Sequence, residues 1–256
     1  MAITLVGYKT QSFDTSIDAE LYLFGLWKKL TLVQKSDKLS SWTKGCLELC
    51  LIGLRQRYPD ASLSKLRYEF ARATLKSCFP DSIYQHISEY NHALMPTDPI
   101  SLAIDIATIL NRLNIPYLVG GSVASTLMGE MSATEDVDIV ADLTLEKVIP
   151  LIQSLQPRFY VSEDEARDAI RFKRSFNLID NESLGKVDVF ILKDDPFPQI
   201  EFQRRRSQLV RQNPDQMLVL PTPEDIILQK WAVELNLHDL LQTASTESGL
   251  QSFFFG

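Results

Sequence analysis

The sequence predicts an α+β protein, a helical bundle followed by a β-sheet flanked by helices, and two patterns carry the prediction. From Asp14 to Cys78 the apolar residues recur at helical spacing and nothing alternates with a period of two. From Pro116 onward, short apolar runs and acidic residues alternating with β-branched ones mark strands, and amphipathic stretches lie between them. With 256 residues, 45% of them hydrophobic, the chain can bury a substantial core. Met95-Pro96-Thr97-Asp98-Pro99, with two prolines in five residues, is the best boundary, which places a helical domain at 1–95 and a second domain at 96–256.

Residues 1–12 read as a short strand-like or irregular start. Asp18 to Leu30 and Asp37 to Tyr58 follow as helices, the second stopped by Pro59-Asp60. Ser62 to Cys78 supplies a third, with Leu63, Leu66, Phe70, Ala73 and Leu75 apolar, and Ser82 to Ala93 a short fourth. The cations Arg55, Arg57, Lys65, Arg67, Arg72 and Lys76 are expected on the solvated surface of this segment. No acid pair, glycine loop or histidine cluster appears there, so the segment reads as one for dimerisation, partner docking or positioning of the second domain.

Ile100 to Asn114 is an amphipathic helix leading into the apolar strand Pro116 to Val119. Gly120-Gly121-Ser122 is a tight turn opening a helix over Val123 to Met128, with Ser122 as its expected cap. Asp136-Val137-Asp138-Ile139-Val140 alternates as a half-buried strand does, and Thr144 to Leu155 and Glu163 to Arg174 are helices. Ser175 to Asp180 and Lys186 to Leu192 form a hairpin-like pair joined by Asn181 to Gly185. Asp194 to Pro198 reads as a turn, Ile200 to Gln208 and Met217 to Leu220 as strands, and Thr222-Pro223 as the cap and first residue of a last helix.

The formal charge of −7 and sequence pI near 5.1 argue against coating of nucleic acid, which needs a basic surface. No run of 18 apolar residues and no signal-peptide pattern is present, so a soluble cytoplasmic protein that does not engage a membrane is expected. Cys46, Cys50 and Cys78 lack paired spacing, and His86, His92 and His238 do not complete a zinc set with them. Reduced thiols, buried as small apolar residues, are expected instead.

Chemistry concentrates between 117 and 141. Two glycines let the backbone pass close to a bound group, and the first N–H groups of the following helix face outward toward negative charge. Gly120, Gly121 and Ser122 are therefore the candidate phosphate cradle. Asp136 and Asp138, two apart on a strand, share a face. Neighbouring carboxylates resist ionisation unless a cation joins them, and hard oxygen ligands suit Mg²⁺ or Mn²⁺. Asp188, alone among the apolar residues of Lys186-Val187-Asp188-Val189-Phe190-Ile191, is the third candidate metal ligand. Three acids on adjacent strands could hold two ions about 3.5 to 4 Å apart. Arg167, Arg171, Lys173 and Arg174, and Arg204 to Arg206 with Arg211, could reach phosphates, although three consecutive arginines on a strand cannot share one face.

The segments LVGGSVAS, ATEDVDIV, SFNLID, KVDVF and PTPEDIILQK, in this order, resemble the AbiEii-type or minimal nucleotidyltransferases of the polymerase β superfamily over about half the chain. The resemblance implies a mixed β-sheet in which the strand bearing Asp188 lies beside that bearing Asp136 and Asp138. It further implies Lys230 directed at a triphosphate, and transfer of a nucleoside monophosphate from a nucleoside triphosphate to a hydroxyl of RNA, such as tRNA, or of protein. Many such proteins are toxins, so a cognate antitoxin is an implied partner. Two departures stand out. Met131-Ser132-Ala133 replaces an arginine usual just before the acid pair, and after Lys230 the family's continuation is not recognisable, Asp239 being the nearest stand-in for its further aspartate. A truncated or altered C-terminus, ending in Phe253-Phe254-Phe255-Gly256, is expected, and the alternative function is a catalytically inactive nucleotide-binding or protein-interaction protein on the same fold.

Overall fold

The structure, a computed structural model, describes residues 10, 13–75, 79–90, 93–129, 136–156 and 158–234, and for 229–234 the backbone alone. Cys78, Lys76, His92, His238, Asp239, Met131 to Ala133 and the C-terminal phenylalanines, singled out above, lie outside the described residues.

The chain begins with helices α1 (Ile17–Trp27), α2 (Leu32–Arg57), α3 (Leu63–Thr74) and α4 (Asp81–Ser88). Each of the first three opens on a hydroxyl that accepts a backbone N–H of the first turn: Ser16 from Ala19, Thr31 from Gln34 and Ser62 from Lys65. At Thr31 the Gln34 side chain returns a bond to the cap's own N–H, which starts α2 five residues earlier than its apolar periodicity predicts. Next come α5 (Pro99–Arg112), β1 (Tyr117–Val119), α6 (Gly121–Met128), β2 (Asp136–Ala141), α7 (Leu145–Leu155), β3 (Phe159–Val161), α8 (Glu163–Phe172), β4 (Ser175–Asp180) and β5 (Lys186–Ile191). The chain then forms α9 (Pro196–Arg204), β6 (Arg206–Arg211), β7 (Gln216–Leu220) and α10 (Pro223–Glu234).

Strands β1 to β5 make a five-stranded mixed sheet in the order β1-β2-β5-β4-β3, in which β2 and β5 run parallel and the other pairs antiparallel. Strands β6 and β7 form a separate ribbon. The α+β class with a mixed, helix-flanked sheet is thus as the sequence implies. The region 194–208 is not: the proline-rich turn and the strand expected from Ile200 are the helix α9, whose two prolines sit where a first helical turn tolerates them. Arg204, Arg205 and Arg206 therefore do not share a strand; the first ends a helix and the last begins β6. The three-residue strand β3 carries too little alternation to be read from sequence.

The main core joins α5, α6 and α7 to the inward residues of β2, β4 and β5, and includes Leu39 of α2. A second core brings Leu51 and Leu54 of α2, Phe70 of α3 and Ile87 of α4 onto Ile179 and Leu184 of the β4–β5 region. Among the described residues no helix is long and apolar enough to cross a membrane. The thiols depart from expectation: Cys46 is exposed, and Cys50 is half-buried against the second core.

Arg67, expected on a solvated surface, is fully buried. Its Nε donates to Ile87 O at 3.0 Å and its Nη2 to Asn181 O at 2.5 Å, joining α3 and α4 to the turn between β4 and β5. Burial lowers its pKa from the usual guanidinium value, and the nearby Tyr90 and Asp180 oppose this. At the other end of the helical segment, Asp98 accepts from Ser40, Ser101 and Arg211. Burial pushes this carboxyl up, but those donors outweigh it and hold the pKa below the ordinary range.

Replacing Arg67 by Met would take the guanidinium donor from the carbonyls of Ile87 and Asn181. The expected loss is about 2–4 kcal/mol of unfolding free energy, read as a lower urea midpoint; an unchanged midpoint would show that the guanidinium contributes nothing there.

Candidate active site

The site is built on the register of β2 against β5, where Asp138 lies directly across from Asp188 and Asp136 across from Lys186. On both strands the apolar residues Val137, Ile139, Val187 and Val189 are buried, so the intervening polar residues emerge together on the opposite face. All three predicted carboxylates thus stand on one side of the sheet. Asp188 is also the register partner of Asn177 on β4, which sits half-buried beside it.

The glycine turn meets this face. The Gly120 N–H donates to Asp138 O at 2.9 Å, and Gly121 adopts φ +56°, where an added Cβ would lie 1.8 Å from Asp138 Oδ2. Only a residue without a side chain lets the first turn of α6 come so close to the carboxylate. Helix α6 starts at Gly121 with Gly120 as its cap and no side-chain cap bond, so Ser122 stands inside the first turn and is not the N-cap. The helix thus begins two residues earlier than Val123. At its other end, Trp27 Nε1 donates to Thr126 O at 2.9 Å and Lys35 Nζ to Leu127 O at 3.1 Å. A buried ammonium there complements the negative end of the helix and holds α6 against α1 and α2.

Sequence reasoning missed Lys186. Its Nζ lies 2.8 Å from Asp188 Oδ2 and 3.3 Å from Asp136 Oδ2, with only 12% of its side chain exposed. The signal was present: Lys186 precedes Asp188 by two on a strand and must share its face. Burial first, then repulsion from Asp188 and Asp136, raises the Asp138 carboxyl above its ordinary range, and Lys186 opposes the shift. Asp188 is raised too, by burial first, with the Lys186 hydrogen bond and charge pulling against it and Asp136 adding to it. Burial lowers the Lys186 ammonium, but its bonds and charge interactions with the two acids outweigh that and leave it raised.

Asp138 and Asp188, crowded and half-buried, resist ionisation, and hard oxygen donors of this kind have the chemistry to hold a divalent cation. As the side chains stand, the cation among them is Lys186, and no three His, Cys, Asp or Glu side chains among the described residues are arranged to share one ion. The site borders a cleft lined from the helical segment by Thr43, Leu47 and Thr74 and from the sheet by Asp136 and Lys186.

Lys230 belongs to α10, whose start is secured by Thr222: its hydroxyl donates to Asp225 Oδ2 at 2.7 Å and accepts from Asp225 N–H at 3.3 Å. The Lys230 side chain itself lies outside the described residues. The arginine clusters are largely engaged within the fold. Arg167 pairs with Glu163, Arg171 with Asp168, Lys173 with Asp194, and Arg211 with Asp98. Arg204 Nη2 stands 3.1 Å from Asp225 Oδ1, an ion pair without hydrogen-bond alignment.

The chain matches no known family's sequence profile and no curated protein sequence. It is similar in structure to an antigenic nucleotidyltransferase-like protein from Paracoccidioides brasiliensis, with a TM-score of 0.36 and 21% identity over 52% of this chain; the match spans 64% of that protein's length. A Thermotoga maritima protein described as a "putative nucleotidyltransferase" is similar with a TM-score of 0.33 and 15% identity, over 64% of this chain and 99% of that one. At such scores the chain's function is read from its own residues.

Two outcomes test this geometry. Gly121→Ala forces an alanine into the left-handed region and its methyl onto Asp138, at an expected cost of about 1–3 kcal/mol by thermal unfolding; a neutral substitution would mean that α6 does not approach the carboxylate. Asp138 and Asp188, with folded pKa values above their unfolded ones, contribute stability that is complete below the ordinary carboxylate range and is lost as pH rises through the folded values. Asp138→Asn should therefore gain in melting temperature relative to the unmodified chain as pH rises through and above the ordinary carboxylate range. A difference that does not change with pH would count against the crowding.

Proposed function

We propose that the chain is a metal-dependent nucleotidyltransferase that moves a nucleoside monophosphate from a nucleoside triphosphate to a hydroxyl of RNA or protein. The observation that carries this reading is the convergence of Asp136, Asp138 and Asp188 on one face of two parallel strands, against the glycine turn that opens α6.

Asp136, Asp138 and Asp188 would hold Mg²⁺ or Mn²⁺, which when bound neutralises triphosphate charge and eases loss of the acceptor's proton. The first turn of α6, entered through Gly120 and Gly121, offers backbone N–H groups and the positive end of the helix to the phosphates, with the Ser122 hydroxyl beside them. Lys230 on α10 is assigned to the triphosphate on the strength of the EDIILQK motif. The acceptor oxygen attacks the α-phosphorus, the new P–O bond forms as the bond to pyrophosphate breaks, and Asp188 helps to take the hydroxyl proton. Most of the acceleration comes from holding acceptor, phosphorus and leaving group in line. The order of the sequence motifs supports a place as the toxin of a toxin–antitoxin pair.

A second reading, a nucleotide-binding protein that does not transfer, is favoured by one feature: Lys186 already bridges Asp136 and Asp188. Incubation with labelled triphosphates, Mg²⁺ and total cell RNA or protein separates the two. Transfer that falls by about 100-fold or more in Asp136→Asn and in Asp188→Asn is expected. A melting temperature raised by triphosphate and metal with no labelled product would favour the second reading.

A further inference from the structure

We propose that Lys186 is a resident counter-ion of the acid cluster, which keeps the site closed to a bare divalent ion and gives way only when metal and triphosphate arrive together. The inference rests on the metal-site reading of Asp136, Asp138 and Asp188 given above.

Lys186 is the register partner of Asp136 and two residues from Asp188, so its side chain rises between the two acids from the floor of the site. The surroundings hold it there. The Lys186 strand begins directly after the Asn181 to Gly185 turn, and that turn is tied down by the fully buried Asp180. Asp180 accepts Ser183 Oγ at 2.6 Å and the Glu182 N–H at 3.2 Å, and it takes Arg158 Nε and Nη2, each at 3.0 Å. Arg158 in turn reaches Asp105 of α5 at 2.6 Å. The start of β5 is thus anchored, whereas the Lys186 head group sits at the end of a flexible four-carbon stem and can turn without moving the strand.

Two consequences follow from the charges. While the ammonium bridges Asp136 and Asp188, an entering ion must displace it and meets its repulsion, so metal alone binds weakly. Once displaced, the ammonium stays on the same face within reach of the site and can pair with a phosphate oxygen. A metal–triphosphate complex brings the anion that the freed lysine needs, and a bare ion does not. Binding of the two ligands is thereby coupled through one side chain.

Titration with Mn²⁺, followed by the electron paramagnetic resonance signal of the free ion, tests this without any turnover. With no nucleotide present, Lys186→Met is expected to bind Mn²⁺ about tenfold more tightly than the unmodified chain, while Lys186→Arg, which keeps the charge, stays weak. Adding a non-hydrolysable triphosphate should tighten Mn²⁺ binding in the unmodified chain by a larger factor than in Lys186→Met. Should Lys186→Met fail to fold by circular dichroism, Lys186→Gln carries the same expectation. Equal Mn²⁺ affinity in the unmodified and neutral-variant chains would overturn the role of Lys186 and leave the metal site standing. No Mn²⁺ binding by any variant, with or without triphosphate, would overturn the metal site and this inference with it.

Discussion

Parallel pairing of β2 with β5 in one register is the constraint on which the rest of the site depends. Because side chains alternate along a strand, a slip of one residue would bury Asp188 and expose Val187 and Val189. The register is held by the apolar residues themselves: Val137, Ile139, Val187 and Val189 can all reach the core only if the acids emerge on the other face. Burial of the valines and isoleucine and convergence of the carboxylates are therefore a single event. The same packing that stabilises the sheet assembles a cluster that, left to itself, is electrostatically unfavourable.

That cost explains the company the acids keep. Three carboxylates crowd around one ammonium, and burial makes ionisation of Asp138 and Asp188 harder than in water. Lys186 relieves part of the repulsion within the chain. The first turn of α6, brought against Asp138 by Gly121, faces the same charge with its positive end. A site so arranged is unsatisfied by a single ammonium and suited to ligands that bring positive and negative charge together.

The helical segment supports this arrangement from behind. Trp27 and Lys35 close the C-terminal carbonyls of α6, and the Trp27 ring stacks on Trp42 of α2 at 5.8 Å. Arg67 ties α3 to the β4–β5 turn, and Arg211 joins β6 to the cap of α5 through Asp98. Buried charges of this kind are costly unless their partners are in place, so they favour one seating of the helices over nearby alternatives. The cleft beside Asp136 is shaped from both sides by the same packing.

Much of the site was legible in the chain before folding because its determinants are local. Alternation in DVDIV and KVDVF fixes which residues share a face, and a Gly-Gly pair before a helical run marks a close backbone approach; neither needs a distant partner. Most helices were visible through their apolar period, though caps at Thr31 and Gly120 shifted their starts and Pro196 and Pro198 concealed a helix as a turn. What the linear chain could not disclose were relations between segments: that Lys186, already on the face of Asp188, would also reach Asp136, that Arg67 would be buried against Asn181, and that Trp27 and Lys35 would reach the far end of α6. Sequence by itself determined the faces of the strands and the donor types, because these follow from backbone geometry and residue chemistry. Tertiary structure alone decided which charges neutralise one another, because that depends on distances between residues dozens of positions apart that only packing brings together.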